Sequence, residues 1–510
     1  MKRAIGMGLV LAALLLPAST LAQAYDGLTL YNTMNSRTVR LIENSGQTVN
    51  SWSCNSNVAY IPYLMPDSTI WRPGVYSGAS MRGAAYGGLI EHYNWDGDVI
   101  ESFTWSNSNH QQHHDIQPMP NGNVLVVSWE KKTSSEAQAM GRQNIYSDIW
   151  PPEIVEYDPV GDSVVWEWHL WDHLIQDVDP GKPNYGVVGE HPELFDINLG
   201  SVGPMGGDWI HVNAVDYDET RDEVVFCSHT MDEFYIIDHS TTTAEAAGHT
   251  GGRHGMGGDI LYRWGNPQNY DRGTSEDQHF FVVHGVNVIR SGLRGEGNVL
   301  IFNNGDRPGR NDDYSSVEEI VPPRDSSGLF IVPPDSAFGP DEPEWLYSNP
   351  GTFYSNHLSG AFRMPNDNTF MVEGTRGRIT EVTYDGTVAW TYNIGSQLGR
   401  AIKYPRDFTG IAEENEPDAM RQVAMRVAPN PFRNSARVRW TMAQAGPVML
   451  TVHDATGRRV ATLADGRFDA GSHEARLGPD ASLAAGIYFC RLATESGSGR
   501  RVETLALVRN

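Results

Sequence analysis

Histidines recur in this chain at places a repeated fold could gather into one site. His114, His211, His284 and His357 each lead a segment that passes through a turn into an apolar β-run, and the last two intervals are both 73 residues. A residue type that recurs at one place in a repeated unit recurs at one place in space. Units set around an axis would therefore bring the four imidazoles together. A lone histidine at a strand start more often satisfies a hydrogen bond, but four at matching offsets ask for more. Tyr60 takes the comparable offset in the first such segment, so the unit itself does not demand histidine.

Imidazoles suit metal ligation, proton transfer and nucleophilic attack. His114 has Asp115 beside it, but Val, Gly and Leu follow the other three, and no His-Glu-x-x-His run occurs. That spacing argues against a catalytic metal, and no cofactor is expected. Arg307 and Arg310 close the strand segment that His284 opens. A guanidinium fork there would hold a tetrahedral oxyanion, and a solvated turn is the plain alternative.

Hairpins ending in tryptophan supply the frame. They end at Trp52, Trp105, Trp166, Trp264, Trp345 and Trp390, at intervals of 53, 61, 98, 81 and 45 residues. The longer intervals hold Gly/Pro-rich insertions around 170–206, 239–258 and 306–342. Period-two alternation around Asn, Asp and Gly turns is the hairpin signature. Six hairpins interleaved with inner strands predict an all-β fold, a six-bladed β-propeller of four-stranded blades. The opening strands near Leu28–Leu41 are expected to pair with the closing run near Ala401–Tyr404, leaving no sheet edge exposed. A β-sandwich would leave six tryptophan hairpins unexplained.

A chain of 510 residues with a formal charge of −25 exceeds one compact core and repels nucleic acid. Residues 1–24 read as a secretory signal peptide: Lys2 and Arg3, an apolar run from Met7 to Leu16, then Ala22-Gln23-Ala24. No stretch is long enough for a membrane span. Cys54, Cys227 and Cys490 are widely spaced and odd in number, which suits buried thiols better than disulfides or a metal site. Composition shifts near residue 420: residues 421–510 hold 13 arginines, no lysine and 7 acidic residues, whereas 25–420 hold 23 basic and 56 acidic residues. The resulting division is a propeller over 25–408, a solvated linker over 409–424 and a small Ig-like β-sandwich over 425–510.

Two resemblances sharpen this. Pro429-Asn-Pro-Phe432, Asp454-Ala-Thr-Gly-Arg458 and Gly486-Ile-Tyr488 resemble the type A C-terminal sorting domain of the type IX secretion system. That implies secretion machinery as a partner and a secreted or outer-membrane-surface location reached through the periplasm. Asp208-Trp-Ile-His-Val-Asn213, Gly297-Asn-Val-Leu-Ile-Phe-Asn-Asn-Gly305 and Gly360-Ala-Phe-Arg-Met-Pro-Asn-Asp-Asn-Thr369 resemble the bacterial arylsulfate sulfotransferases. The family implies a six-bladed propeller that moves a sulfuryl group from an aryl sulfate donor to a phenolic acceptor without a nucleotide, through a transiently sulfated histidine. By resemblance His211 matches the Trp-x-His-x-Asn histidine and His284 the next motif histidine, although Val-Val-His-Gly stands where the family has Gly-Gln-His-Asp. His357 falls where the sulfated histidine is expected, with His284 or His211 as the alternatives; His114 joins the catalytic set. Arg307, with Arg310 as substitute, would bind the sulfuryl oxygens, and Asn213, Trp209 and Tyr354 the substrate, with Phe353 as a further aromatic candidate. A propeller that only binds glycans or proteins, and a quinone-dependent oxidoreductase, are the rival readings.

Overall fold

In a computed structural model the chain divides into two compact units, Met1–Ile411 and Ala412–Asn510. The residues described are 22–202, 206–307, 313–332 and 334–408 of the first unit and most of 425–509 of the second. Residues 1–21 of the expected signal peptide and the expected linker over 409–424 lie outside them.

Six four-stranded antiparallel sheets, taken in chain order, make up the first unit, with a two-stranded parallel pair in the insertion after the third. The innermost strands are Leu398–Pro405, Tyr63–Leu64, His110–Pro118, Val212–Asp218, Val283–Val288 and Gly360–Arg363. Several middle strands, such as Val124–Glu130 and Glu233–Asp238, are buried along their whole length and carry near-continuous apolar runs. Outer strands such as Val99–Thr104 and Val388–Asn393 face solvent and carry polar residues at alternate positions.

Closure is explicit. Gly27–Thr33 pairs on one side with Thr38–Ile42 and on the other with Leu398–Pro405, placing Leu28 opposite Tyr404 and Tyr31 opposite Ala401. The six hairpin tryptophans complete the circuit, because each indole N–H donates into the following sheet. Trp52 bonds the Asn94 carbonyl at 2.8 Å, Trp105 the Ser128 hydroxyl at 3.0 Å, and Trp166 the Thr241 hydroxyl at 3.1 Å. Trp264 bonds the Pro340 carbonyl at 2.9 Å, Trp345 the Tyr384 carbonyl at 2.7 Å, and Trp390 returns to the Asn44 carbonyl of the first sheet at 3.1 Å. A large apolar ring with one donor at its edge can fill the wedge between two sheets and still satisfy its polar atom.

The second unit pairs Met425–Ala428, Ala436–Met442 and Gly471–Leu477 in one sheet, and Arg459–Phe468, Gly446–Asp454, Gly486–Ser496 and Gly499–Arg509 in another. Its core includes Trp440, Leu450, Val452, Cys490 and Leu507. All three cysteines are buried and unbridged. Among the described residues no helix is long and apolar enough to cross a membrane.

A charged latch joins the third and fourth sheets. His239 bonds Asp222 at 2.7 Å and reaches across to Glu156 at 3.1 Å. Burial opposes charge on the ring, yet the two carboxylates outweigh it and push its pKa up to about 9 from 6.5. The imidazolium is thus held to higher pH in the fold than in the unfolded chain. Its stabilisation is full below pH 6.5 and fades as pH rises through about 9. His239→Asn is expected to cost about 2–4 kcal/mol near neutral pH, a deficit that shrinks above about pH 9. Urea melts at the two pH values check this, and an equal deficit at both would contradict it.

Candidate active site

The inner strands enter the axis through irregular backbone. Registers shift between Gln112 and Ile116, between Val212 and Ala214, and between His284 and Asn287. His211, Val282, Leu358 and Ser359 all have positive φ, at 31°, 59°, 62° and 92°. For a β-branched residue that is a strained state, held here by Asp232, which accepts the Val282 N–H at 2.6 Å. Such outliers gather where backbone is bent to aim side chains. The first bulge matters most. Neighbours on a regular strand point to opposite faces, whereas here His113 and His114 lie in ring contact, 4.3 Å between centroids, both buried.

The aimed side chains form a row. Tyr60 stacks on His114 at 4.6 Å, and His113 packs on His211 at 4.5 Å. From His211 the row continues to His229 at 5.3 Å and from His229 to His284 at 5.3 Å. Two rings are fixed from behind. Asp208 takes His211 Nδ1 at 2.6 Å while also accepting the Trp129 indole N–H at 3.1 Å. The Asn304 side-chain oxygen takes His284 Nδ1 at 2.7 Å, and its amide donates to the Ser355 and Leu358 carbonyls at 2.6 and 3.1 Å. Asn304 therefore couples the His284 ring to the loop that carries His357. His357 itself is only partly buried, with Nδ1 on the Asn356 side-chain oxygen at 2.9 Å.

His113, His114, His229, His284 and His357 are held toward the neutral form. Burial, then the charges of neighbouring histidines, holds His113, His114 and His284 well below the ordinary range and brings His229 down to about 4. Burial also lowers His357. Neutral nitrogen lone pairs are what attack, proton abstraction and metal binding all require.

Beneath the row the axis is plugged by charge. Arg400 bonds Asp115 at 3.1 Å and the Tyr63 hydroxyl at 2.9 Å, and Tyr63 donates to Asp115 at 2.8 Å. Burial works against the guanidinium, but Tyr63 and Asp115 keep it charged. A separate cavity of about 420 Å³ is lined by Tyr63, Arg400, Asp216, Arg290 and Tyr404.

The expected site residues divide accordingly. His114, His211 and His284 lie in the row, and His357 lies on the loop that Asn304 ties to the His284 ring. Arg307 sits between the Phe281 and Tyr314 rings, 4.9 and 4.7 Å from their centroids, and bonds the Gly305 carbonyl. Arg310 lies outside the described residues. Trp209 is corrected to core: it is fully buried, with its indole on the Leu199 carbonyl. Asn213 is likewise buried, tying the fourth sheet to the fifth through the Val283 carbonyl and accepting the Cys227 thiol. Phe353 packs in a core, and Tyr354 is half-buried with its backbone N–H on Glu373. Sequence reasoning missed His113, because it counted one histidine per repeat, and His229, which follows a second strand rather than leading a first. It also passed over Asn304, although Asn303-Asn304-Gly305 at a strand end was its visible signal.

The profile of the arylsulfotransferase (ASST) family matches residues 85–389, more than half of the chain, so this chain belongs to that family. The family is an aryl-sulfate sulfotransferase, a transferase. No curated protein matches it. Among solved structures it is similar to a protein of unknown function from Bacteroides caccae, at 8% identity over 74% of this chain and 99% of that one, TM-score 0.39. Virginiamycin B lyase from Staphylococcus aureus aligns at 10% identity, 73% and 82% coverage and TM-score 0.34. Likeness at this level carries no argument about the site.

Asn304→Ala would free the His284 ring and leave two loop carbonyls without their donor. Aryl-sulfate turnover should fall on the order of 10²-fold through misplacement, with a stability loss of about 1–3 kcal/mol. Nitrophenolate release and a thermal melt measure both, and unchanged turnover would remove Asn304 from the positioning role.

Proposed function

We propose that this protein transfers a sulfuryl group from an aryl sulfate to a phenol through a sulfo-histidine, without a nucleotide donor. The observation that carries the reading is the row of buried imidazoles, tied through Asn304 to the loop that carries a partly exposed His357. Its Nδ1 is engaged by Asn356, which leaves Nε2 as the nucleophile. In the first half-reaction Nε2 bonds sulfur as the S–O(aryl) bond breaks, and the aryl group leaves as phenolate, which takes its proton from water. In the second, the acceptor phenol loses its proton to a neutral histidine and its oxygen displaces the imidazole from sulfur. His284 and His211, with Nδ1 committed to Asn304 and Asp208, present Nε2 as proton acceptors, and Arg307 binds the sulfuryl oxygens by swinging out from between its two rings.

The architecture that supports this reading is a six-bladed propeller, one blade for each four-stranded sheet. The second unit is read as an Ig-like sorting domain recognised by the type IX machinery, on a chain exported by the signal peptide to the cell surface or beyond. Removal of residues 425–510 should leave a folded protein in the periplasm, as fractionation would reveal.

With 4-nitrophenyl sulfate and a phenol acceptor, His357→Ala should reduce turnover about 10²–10⁴-fold. Mass spectrometry of the wild-type enzyme treated with donor alone should place one added sulfuryl group on His357. A sulfuryl group on His284 or His211 would move the nucleophile, and acceptor-dependent transfer without any modified histidine would end the covalent mechanism.

A further inference from the structure

One end of the histidine row is arranged for more than proton transfer, and we infer that His113, His114 and His211 bind a divalent transition-metal ion of the zinc type. One ring nitrogen from each lies within 4.8 Å of the others. A tetrahedral ion with bonds of about 2.1 Å places its ligand atoms about 3.4 Å apart, so modest ring rotation completes the set. Neither ring nitrogen of the buried His113 has a hydrogen-bond partner among the described residues, and Nδ1 of His114 has none either. Buried polar nitrogens are normally paired, so orphaned ones on adjacent rings point to a ligand.

The support behind the third ring fits the same chemistry. Asp208 on His211 Nδ1 fixes the tautomer that presents the Nε2 lone pair, the carboxylate–histidine arrangement common behind zinc ligands. Three imidazoles with no thiolate favour zinc, copper or nickel over calcium or magnesium. Two other groupings lack this property. Both ring nitrogens of His173 are already bonded, to Asp259 and the Ala246 carbonyl, and in the other grouping His169 bridges Glu130 and Glu153, which Lys132 and His110 also bind, so that only Glu130 Oε1 is left over. The sequence hid the site because its expected spacing counted one histidine per repeat, whereas the bulge supplies two. Metal binding stands apart from the sulfo-histidine reading and survives its failure.

The full-length protein, stripped with a chelator and dialysed, is titrated with Co²⁺ and then Zn²⁺. The expected result is one equivalent of Co²⁺, the strong visible absorption of a tetrahedral site, and displacement by Zn²⁺. His113→Ala and His114→Ala should each lower affinity at least about 100-fold and Asp208→Asn about 10–100-fold, while His249→Ala leaves it unchanged. Circular dichroism confirms that each variant is folded. A folded wild-type protein without stoichiometric cobalt overturns the site, as does uptake that the His113 and His114 changes leave intact.

Discussion

A ring of sheets that closes on itself forces its first strands to share an axis, and the side chains leading those strands must fill it. Closure here rests on two devices. The strand Gly27–Thr33 takes the last inner strand as its neighbour, and six indoles pass one hydrogen bond each around the circuit until Trp390 returns to the first sheet. Each such bond contributes only about 1 kcal/mol net, but the set fixes the angle of every sheet relative to the next. An error of angle anywhere would be felt at the axis, where imidazoles stand 4.3 to 5.9 Å apart.

What fills the axis is unusual for a core. Below the histidines, Arg400, Asp115 and Tyr63 form a buried charged network that would be costly if any member were left unpaired. It also separates the histidine row from the cavity lined by Asp216 and Arg290. Beyond it, burial favours the neutral form of His113, His114, His229 and His284, and the Asp208 carboxylate stands behind His211.

Much of this frame was legible in sequence because it depends on periodicity. The tryptophan hairpins marked the outer strands of all six sheets, and the pairing of Leu28 with Tyr404 was expected from the need to hide an edge. Tyr60, singled out only as an exception, occupies a place in the row against His114. What escaped depends on departures from periodicity. A bulge turned His113 toward its neighbour's contacts, and a paired backbone, His229 N–H to the His211 carbonyl at 3.1 Å, brought in a residue from a second strand. Trp209, a candidate for stacking on an aryl ring, precedes the strand and is buried in the core, and Asn213 sits at the register shift between Val212 and Ala214, tied to the next sheet.

Buried imidazoles held toward the neutral form suit a nucleophile but serve an anion poorly, and an aryl sulfate is an anion. Arg400 is committed to Asp115, and Arg307 is held by Phe281, Tyr314 and the Gly305 carbonyl. Positive charge must come from elsewhere or from a rearrangement. Arg307 belongs to the fifth sheet with His284, whereas His113 and His114 belong to the third, so the two possible sources of charge stand at opposite ends of the row. An ion on His113, His114 and His211 would withdraw His211 from proton transfer and leave that task to His229 and His284. A swing of Arg307 would leave His211 free. The two arrangements divide the labour of the same imidazoles differently, and the Asp208 hydrogen bond, which fixes the His211 tautomer in either case, is compatible with both.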